Sequence, residues 1–333
     1  MAYTTIDDPT LYFSTTIYTG DGQQNRAVTI DGTGMQPDWL WVKSRSETEG
    51  HVVGDSVRGA TIRLIPNSND GEATRATNIA SFTSDGFTVA NGGVDAAVNK
   101  NSQTYVSWAW KESATAGFDI CSWTGNGSAQ NISHNLSKVP TMIIVKNRTD
   151  DGADWYVYNV HNGNTHSMIL NTTSAKVGAY SDNWNNTTPT SSVFTVGSSN
   201  STGGSSSDNM IAYVFTDIQG FSKFGTYTGN GNADGTFVYT GFKPAWVMVK
   251  KTNNTGGWQL RDNKRTTFNL LTNLNYANAT SAEQTTDGID FLSNGWKLRN
   301  SAGDNNASGD TYIFMAFAEN PFVSSTGVPA TAR

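Results

Sequence analysis

Short apolar runs separated by polar turns recur along the whole chain. The runs are four to seven residues long, rich in Val, Ile, Trp, Tyr and Phe, and bounded by Gly, Asn, Asp and Ser. β-Branched and aromatic residues favour strands, and the small polar residues favour the turns between them. No segment shows apolar residues at the 3.6-residue spacing of a helix. The pattern therefore predicts an all-β protein.

Two sequence markers recur three times in one register. The first is an aromatic residue followed by Thr, Gly, Asp or Asn, and Gly, at residues 18–22, 123–127 and 227–231. The second is a strand-like segment that begins with Pro and ends with Val-Lys, at residues 37–43, 140–146 and 244–250. Successive copies of either marker lie 103 to 105 residues apart, so the chain consists of three tandem repeats.

The strand spacing indicates the architecture of each copy. Strands at intervals of about 8–12 residues are typical of an antiparallel sandwich or a jelly roll. We predict three tandem antiparallel β-sandwich domains, jelly-roll-like, formed by residues 1–113, 114–219 and 220–333. They are called repeats 1, 2 and 3 below. Residues 2–13 are predicted to be an attachment segment, and the C-terminal tail 324–333 is the alternative.

Two local motifs predict turns. Asp-Gly and Asn-Gly in the first marker are typical of a tight hairpin turn with positive φ, which we favour over a ligand-binding loop. Asn99 and Asn306 each stand six residues before the Tyr that opens the last strand of their repeat. Because Asn tolerates left-handed backbone, we expect a turn at each of these residues.

Composition and charge exclude several classes of protein. Only 15% of the residues are charged, and the net charge is −6, which argues against duplex nucleic acid as a partner. Aromatic residues make up 11%, more than a disordered chain would hold. Cys121 is the only cysteine, which excludes an intrachain disulfide and a thiolate zinc site. We find neither a signal peptide nor an apolar stretch of membrane-spanning length, and expect no membrane insertion.

Two pairs of a carboxylate and a guanidinium are candidates for chemistry. Asp55 and Arg58 stand 12 and 15 residues after the marker lysine of repeat 1, and Asp262 and Arg265 stand at the same offsets in repeat 3. In repeat 2 these offsets hold Tyr158 and a histidine. Because one repeat lacks the pair, we favour a structural ion pair over a catalytic one.

The sequence shows no metal or cofactor motif. His161 and His166 are five residues apart, unlike the i, i+4 pair of a helical metal site. The carboxylates within residues 150–154 depart from the spacing of a calcium loop and predict a solvated turn. We therefore predict a protein that is not an enzyme and that has no catalytic residue, cofactor or metal. The two carboxylates of a glycosidase need no sequence motif, so a polysaccharide depolymerase stays open as an alternative.

Three tryptophans are candidates for surface contact with a glycan. Trp184 lies in a polar segment, which suits either stacking on a sugar or capping the edge of a sandwich. Trp155 and Trp258 follow their marker lysines by nine and eight residues, where repeat 1 has His51. For these two residues we favour packing in the core over contact with a sugar.

Three segments of the chain resemble a known family. Residues 1–13, 220–242 and 312–322 are similar to a repeat domain of virion proteins from tailed bacteriophages, marine ones especially. The resemblance covers essentially the whole chain and implies a particle component. It transfers no catalytic or ligand-binding residue. Repeat 2 departs most from the family pattern, so specialised contacts are expected there.

The resemblance implies a function and a location. The expected protein is a non-enzymatic structural component of the virion exterior, assembled in the host cytoplasm, and a tail fibre or adhesin that contacts the host surface. The alternatives are a capsid decoration or head-fibre protein, and a polysaccharide-binding module or depolymerase. Expected partners are other virion proteins, a host surface glycan and further copies of the chain. By analogy with phage appendages, a trimer is favoured.

Overall fold

The computed structural model describes residues 2–32, 34–90 and 96–331. Met1 and the last two residues of the predicted tail lie outside this range. The described chain is built from antiparallel β-sheets with three short α-helices, which confirms the all-β class. Within the described ranges, none of the helices has the length and apolar character needed to cross a bilayer.

Each repeat contributes a similar series of elements. In repeat 1 these are β1 (Phe13–Thr19), β2 (Arg26–Thr29), β3 (Trp39–Ser44), β4 (Val52–Asp55), β5 (Ile62–Arg63), β6 (Ala73–Thr74), β7 (Ile79–Thr83), β8 (Gly86–Val89), α1 (Ala96–Asn99) and β9 (Thr104–Trp110). In repeat 2 they are β10 (Phe118–Thr124), β11 (Gln130–Ser133), β12 (Met142–Asn147), β13 (Tyr156–Asn159), β14 (His166–Ile169), β15 (Val177–Gly178), α2 (Ser181–Trp184), β16 (Val193–Val196) and β17 (Asn209–Phe215). In repeat 3 they are β18 (Ser222–Thr228), β19 (Phe237–Tyr239), β20 (Phe242–Lys251), β21 (Gln259–Asp262), β22 (Leu271–Tyr276), β23 (Gln284–Leu292), β24 (Gly295–Leu298), α3 (Gly303–Asn306) and β25 (Thr311–Pro321).

The main sheet has one strand order in all three repeats. It runs β1-β9-β3-β4 in repeat 1, begins β10-β17-β12-β13 in repeat 2, and begins β18-β25-β20-β21 in repeat 3. The smaller sheets are β2-β8-β7 and β5-β6 in repeat 1 and β11-β16 in repeat 2. In repeat 3 the two sheets are continuous, so that β18 and β19 are the end strands of a single eight-stranded sheet.

Each main sheet buries side chains on both faces. In β3, Trp39 and Trp41 enter one apolar cluster, whereas Leu40 and Val42 enter another. This division follows from the alternation of side chains along a strand. The outer cluster of each repeat contains residues of that repeat alone and includes residues of its smaller sheet. The inner cluster, in contrast, is common to the three repeats.

The common inner core is rich in aromatic side chains. Rings of different repeats lie close together in it, with centroid separations of 4.5 Å for Trp39 and Tyr213, 4.9 Å for Phe13 and Phe317, and 5.6 Å for Trp110 and Trp246. Aromatic pairs at such separations contribute beyond the apolar area that they bury. Because side chains from all three repeats form this core, each repeat is packed against the other two.

The structure corrects the predicted hairpin at the first marker. β1 pairs with β9 and β2 pairs with β8, so the marker joins two sheets rather than two paired strands. Only the second glycine of each copy has positive φ, at +70°, +72° and +66°. The first glycine is needed for a different reason, since an added Cβ would press against the backbone carbonyls of Lys100, Ser205 and Ala307 in the three repeats.

The predicted asparagine turns also have a different structure. Asn99 and Asn306 end the short helices α1 and α3, and neither is among the residues with positive φ. The Asn99 amide donates to the carbonyls of Gln23 and Ala90, and its oxygen accepts the N–H of Asp21. The buried asparagine therefore holds the marker loop through its side chain, not through its backbone.

Candidate functional site

The three candidate tryptophans lie in the interior. Trp155, Trp184 and Trp258 are each about 1% exposed. The indole of Trp184 donates to the Ser167 hydroxyl at 2.8 Å. A buried ring offers no face to a sugar, so the surface-contact interpretation is corrected for all three residues. The core packing that we favoured for Trp155 and Trp258 is what the structure shows.

Trp155, Trp258 and His51 join the repeats in cyclic order. The Trp155 indole of repeat 2 donates to the Ile65 carbonyl of repeat 1 at 3.0 Å. The Trp258 indole of repeat 3 donates to the Ile169 carbonyl of repeat 2 at 2.9 Å. The third contact completes the cycle of repeats, since His51 Nε2 of repeat 1 lies 3.0 Å from the Tyr276 carbonyl of repeat 3.

The lysine of the second marker makes the same cyclic contacts. Lys43, Lys146 and Lys250 are buried, and burial lowers the pKa of each ammonium to about 8. Their ammonium groups donate to backbone carbonyls of the neighbouring repeat, at Thr280 (3.2 Å), Asn69 (3.0 Å) and Thr173 (3.0 Å) respectively. Buried charges need such hydrogen bonds because water is absent. The marker lysine is therefore a contact between repeats.

A backbone hydrogen bond repeats at each of the three interfaces. The residue two positions after the marker lysine accepts an N–H from the neighbouring repeat. The pairs are Glu283 N–H to Arg45 O, Glu72 N–H to Arg148 O, and Lys176 N–H to Thr252 O, each at 2.7 or 2.8 Å. The three interfaces thus share a backbone contact and a lysine contact.

Two of the interfaces add a charge network. Between repeats 1 and 2, Asp55 bonds Arg58 at 2.6 Å with both side chains fully buried, and Glu72 receives Arg148 in two hydrogen bonds of 2.7 and 2.9 Å. The Tyr213 hydroxyl of repeat 2 donates to Asp55 at 2.6 Å. The predicted structural role of the Asp55 and Arg58 pair is what this geometry supports.

The interface between repeats 3 and 1 has the same network. Asp262 bonds Arg265 at 2.6 Å, and Glu283 receives Arg45 in hydrogen bonds of 3.0 and 2.9 Å. Here the indole of Trp108, from repeat 1, donates to Asp262 at 3.1 Å. Asp262 and Arg265 therefore also serve contact between repeats.

The interface between repeats 2 and 3 lacks this network in the described chain. Strand register aligns Asn159 with Asp55 and Asp262, since they pair with Met142, Trp39 and Trp246 of their own repeats. The offset of 12 residues had indicated Tyr158 instead, and the loop after β12 is one residue longer. The amide nitrogens of Asn159 and Asn162 are buried and find no partner among the described residues.

The acidic turn at residues 150–154 makes hydrogen bonds, and Cys121 is buried. The described residues contain no group of three His, Cys, Asp or Glu side chains that could hold a metal ion. Within the acidic turn, Asp151 accepts the Gly71 N–H at 2.8 Å, and Asp154 accepts from the Asn171 amide at 2.7 Å. Cys121 is a buried free thiol whose pKa burial raises. A buried thiol of raised pKa is a poor nucleophile.

A groove of about 450 Å³ lies where repeat 2 meets the two end strands of the eight-stranded sheet. Its lining includes Gly225 of β18, where an added Cβ would lie 2.5 Å from the ring of Phe314. Phe237 and Tyr239 of β19 line it and are 43% and 55% exposed. This cavity is called the 2–3 groove below.

Polar side chains occupy one side of the 2–3 groove. The Asp217 carboxylate lies 3.0 Å from the Lys223 ammonium and accepts the Phe224 N–H at 2.8 Å. His161 Nε2 lies 3.3 Å from the Phe224 carbonyl, so the nitrogen donates to it. Repeat 2, through His161, thus contributes directly to the groove.

The two exposed aromatic rings of the groove are specific to repeat 3. Val238 aligns with Val28 and Ile132, which pair with equivalent strands of their repeats. The flanking exposed positions are Phe237 and Tyr239 in repeat 3, Ala27 and Thr29 in repeat 1, and Asn131 and Ser133 in repeat 2. Sequence reasoning missed this pair because Phe-Val-Tyr fits an ordinary strand. Alignment of the three repeats would have revealed it.

Comparison with known proteins identifies a family. A family model described as a domain of unknown function, DUF7483, matches residues 8–321. No curated protein matches the chain.

Proposed function

The chain belongs to the DUF7483 family, and we propose that it is a non-enzymatic structural protein on the exterior of a bacteriophage virion. Within the particle, we propose a tail fibre or adhesin that contacts the host surface. The resemblance of residues 1–13, 220–242 and 312–322 to phage virion repeats supports this proposal. A capsid decoration or head-fibre protein is the second candidate.

The observation that carries the proposal is the cyclic packing of the repeats. One chain forms three interfaces between repeats around a common aromatic core, with the marker lysine contact at each. Packing holds the three repeats together. The chain has no intrachain disulfide, because Cys121 is the only cysteine. A rigid β scaffold with loops at its surface suits a particle component assembled in a reducing cytoplasm.

We further propose that the repeats are three jelly-roll-like β-sandwich units. In repeats 1 and 2 the main sheet and a smaller sheet contribute to one outer apolar cluster, and in repeat 3 both ends of the eight-stranded sheet do, which supports this division. The boundaries at residues 113/114 and 219/220 stay predictions. The shared inner core makes the units depend on one another rather than fold separately.

We propose contacts with other virion proteins and self-association as a trimer. Residues 2–13 and the tail 324–331 lie near one another, since Ser325 N–H donates to Asp7 at 2.7 Å. The two predicted attachment segments therefore support a single docking region. Light scattering at micromolar concentration, together with particle imaging, measures the copy number. A monomer in both settings would overturn the trimer.

Antibody-gold labelling of intact particles tests the location. Gold at the tail tip is the expected result for an adhesin. Gold over the head would transfer the proposal to capsid decoration, and particles without gold would contradict a virion component. Incubation of the purified protein with host capsule tests the depolymerase alternative, because release of oligosaccharides would contradict a non-enzymatic role.

A further inference from the structure

We propose that the 2–3 groove binds a neutral carbohydrate that stacks on Phe237 and Tyr239. The inference rests on the proposed function only for the source of the sugar, which would be the host surface.

The size and lining of the groove are those of a ligand site. At about 450 Å³ it falls within the usual range of ligand pockets, about 300–1,000 Å³, and its lining combines apolar side chains with a few polar groups. The absence of a side chain at Gly225 lets the otherwise buried Phe314 ring line the groove, since a Cβ at Gly225 would meet that ring.

The strand that carries the two exposed rings does not need them in order to form. At the positions of Phe237 and Tyr239, repeat 1 has Ala27 and Thr29 and still forms the equivalent strand. Phe237 and Tyr239 line the groove, and 43% and 55% of their surfaces are exposed to solvent. Neighbouring exposed aromatic residues at a groove indicate a binding site.

The polar groups favour a neutral, hydroxyl-rich ligand. Lys223 and Asp217 form an ion pair of 3.0 Å, so their charges compensate each other. A phosphate or a sulfated ligand would meet the Asp217 carboxylate without a second cation from the groove lining. A pyranose has an apolar face of C–H groups and a rim of hydroxyls. The two rings match its apolar face, and the remaining N–H groups of Lys223 match its hydroxyls.

The groove edge disfavours an extended peptide. An added strand would need free backbone groups along β18. At Phe224 the N–H is already bonded to Asp217 and the carbonyl to His161. The neighbouring Lys223 adds a charge of the kind that protects sheet edges from strand pairing. A sugar, in contrast, needs only the side chains.

Saturation-transfer NMR on the full chain tests the proposal. The probes are maltotriose, cellotriose and chitotriose, with sialyllactose as the charged sugar and an alternating Thr-Val hexapeptide as the strand-forming ligand. We expect transfer to the ring C–H protons of at least one neutral trisaccharide. The double variant Phe237→Ala/Tyr239→Thr, which copies the residues of repeat 1, should weaken that binding at least about tenfold.

Two controls make the result specific. Phe268→Ala removes a ring that is 74% exposed and lies outside the groove lining, and it should leave binding unchanged. Equal melting temperatures for the wild type and the double variant show that the fold is retained. Binding of none of the neutral sugars, binding that survives the double variant, or preference for sialyllactose or the peptide would each overturn the proposal. Failure here combined with gold at the tail would leave the proposed function standing.

Discussion

The two interfaces with the buried charge network and the interface without it differ in a coordinated way. Where the neighbouring repeat supplies a donor, Tyr213 or Trp108, the facing residue is Asp55 or Asp262. In the third interface the strand position equivalent to those donors is Met315, and the aligned residue is the neutral Asn159. A buried carboxylate without donors would be costly. An aspartate is therefore present at the two interfaces where the neighbouring repeat supplies a donor, and an asparagine at the interface where it does not.

The features common to all three interfaces are the minimum that holds the three repeats in their cyclic arrangement. These are the marker lysine, the backbone hydrogen bond after it, and the shared aromatic core. The charge network adds to this minimum at two interfaces. The 2–3 groove opens at the interface without the network, with His161 on its border. The groove therefore lies at the interface that lacks the charge network.

Removal of a buried carboxylate should give the largest difference between interfaces. Asp55→Ala removes the carboxylate nearest to the fully buried Arg58 and leaves it only the more distant Glu72, 3.8 Å away, so we expect a loss of about 3–5 kcal/mol in the free energy of unfolding. Asn159→Ala, at the aligned site, should cost about 1–2 kcal/mol, because no buried charge loses its partner. Urea unfolding measures both. Equal losses would show that the network adds nothing.

Replacement of the marker lysine should affect the three interfaces alike. Lys250→Met removes the ammonium that donates to Thr173, Ser174 and Gly256, leaving buried carbonyls without donors. The expected cost is about 1–3 kcal/mol. Lys43→Met and Lys146→Met should cost the same within about 1 kcal/mol. A large loss in one variant and none in the others would contradict a common lysine contact.

Acid should weaken one interface more than the other two. Burial and the nearby Lys43 lower the pKa of His51 to about 3, below its ordinary 6.5. Between these values the unfolded state binds the extra proton, so stability falls as pH falls through that window. We expect a loss of about 1–2 kcal/mol from pH 7 to pH 5, which His51→Gln should abolish. The repeats with tryptophan at this position provide no such titration.

A transplanted ion pair should give the smallest effect. Thr252→Arg with Lys176→Glu reproduces, at the third interface, the pair that Arg45 and Glu283 form at another. The gain should be at most about 1 kcal/mol and should decrease with salt, because position 176 is exposed to solvent. Thermal unfolding at two salt concentrations measures it. A gain that salt leaves unchanged would argue against an electrostatic origin.

Much of the fold could be predicted from the sequence. Short apolar runs and the repeated markers predicted the all-β class and the three similar series of strands. The relative placement of the repeats could not be predicted, because Trp39 and Trp246 have the same sequence pattern whether their core is private or shared. The marker lysines likewise read as strand ends, although they bond the neighbouring repeat.

The candidate site was harder to predict. Trp184 lies in a polar segment but is buried against Tyr158 within repeat 2. Conversely, Phe237 has the sequence signature of an interior strand residue and is exposed. Burial of a single aromatic residue depends on which sheets stack over it, and this is a property of the tertiary arrangement. The alignment of the repeats carries the missing signal, since Ala27 and Asn131 mark the position as exposed.

Hydrogen exchange after a core substitution in one repeat tests the shared core most directly. Trp246→Ala removes a fully buried ring that contacts Phe13 and Trp110 of repeat 1 and Phe317 of repeat 3. Mass spectrometry of the exchanged full chain should show faster exchange in the main-sheet strands of all three repeats, by the factor that a loss of about 3–5 kcal/mol implies. Faster exchange confined to residues 220–331, with repeats 1 and 2 unchanged, would contradict cooperative unfolding of the three repeats as one unit.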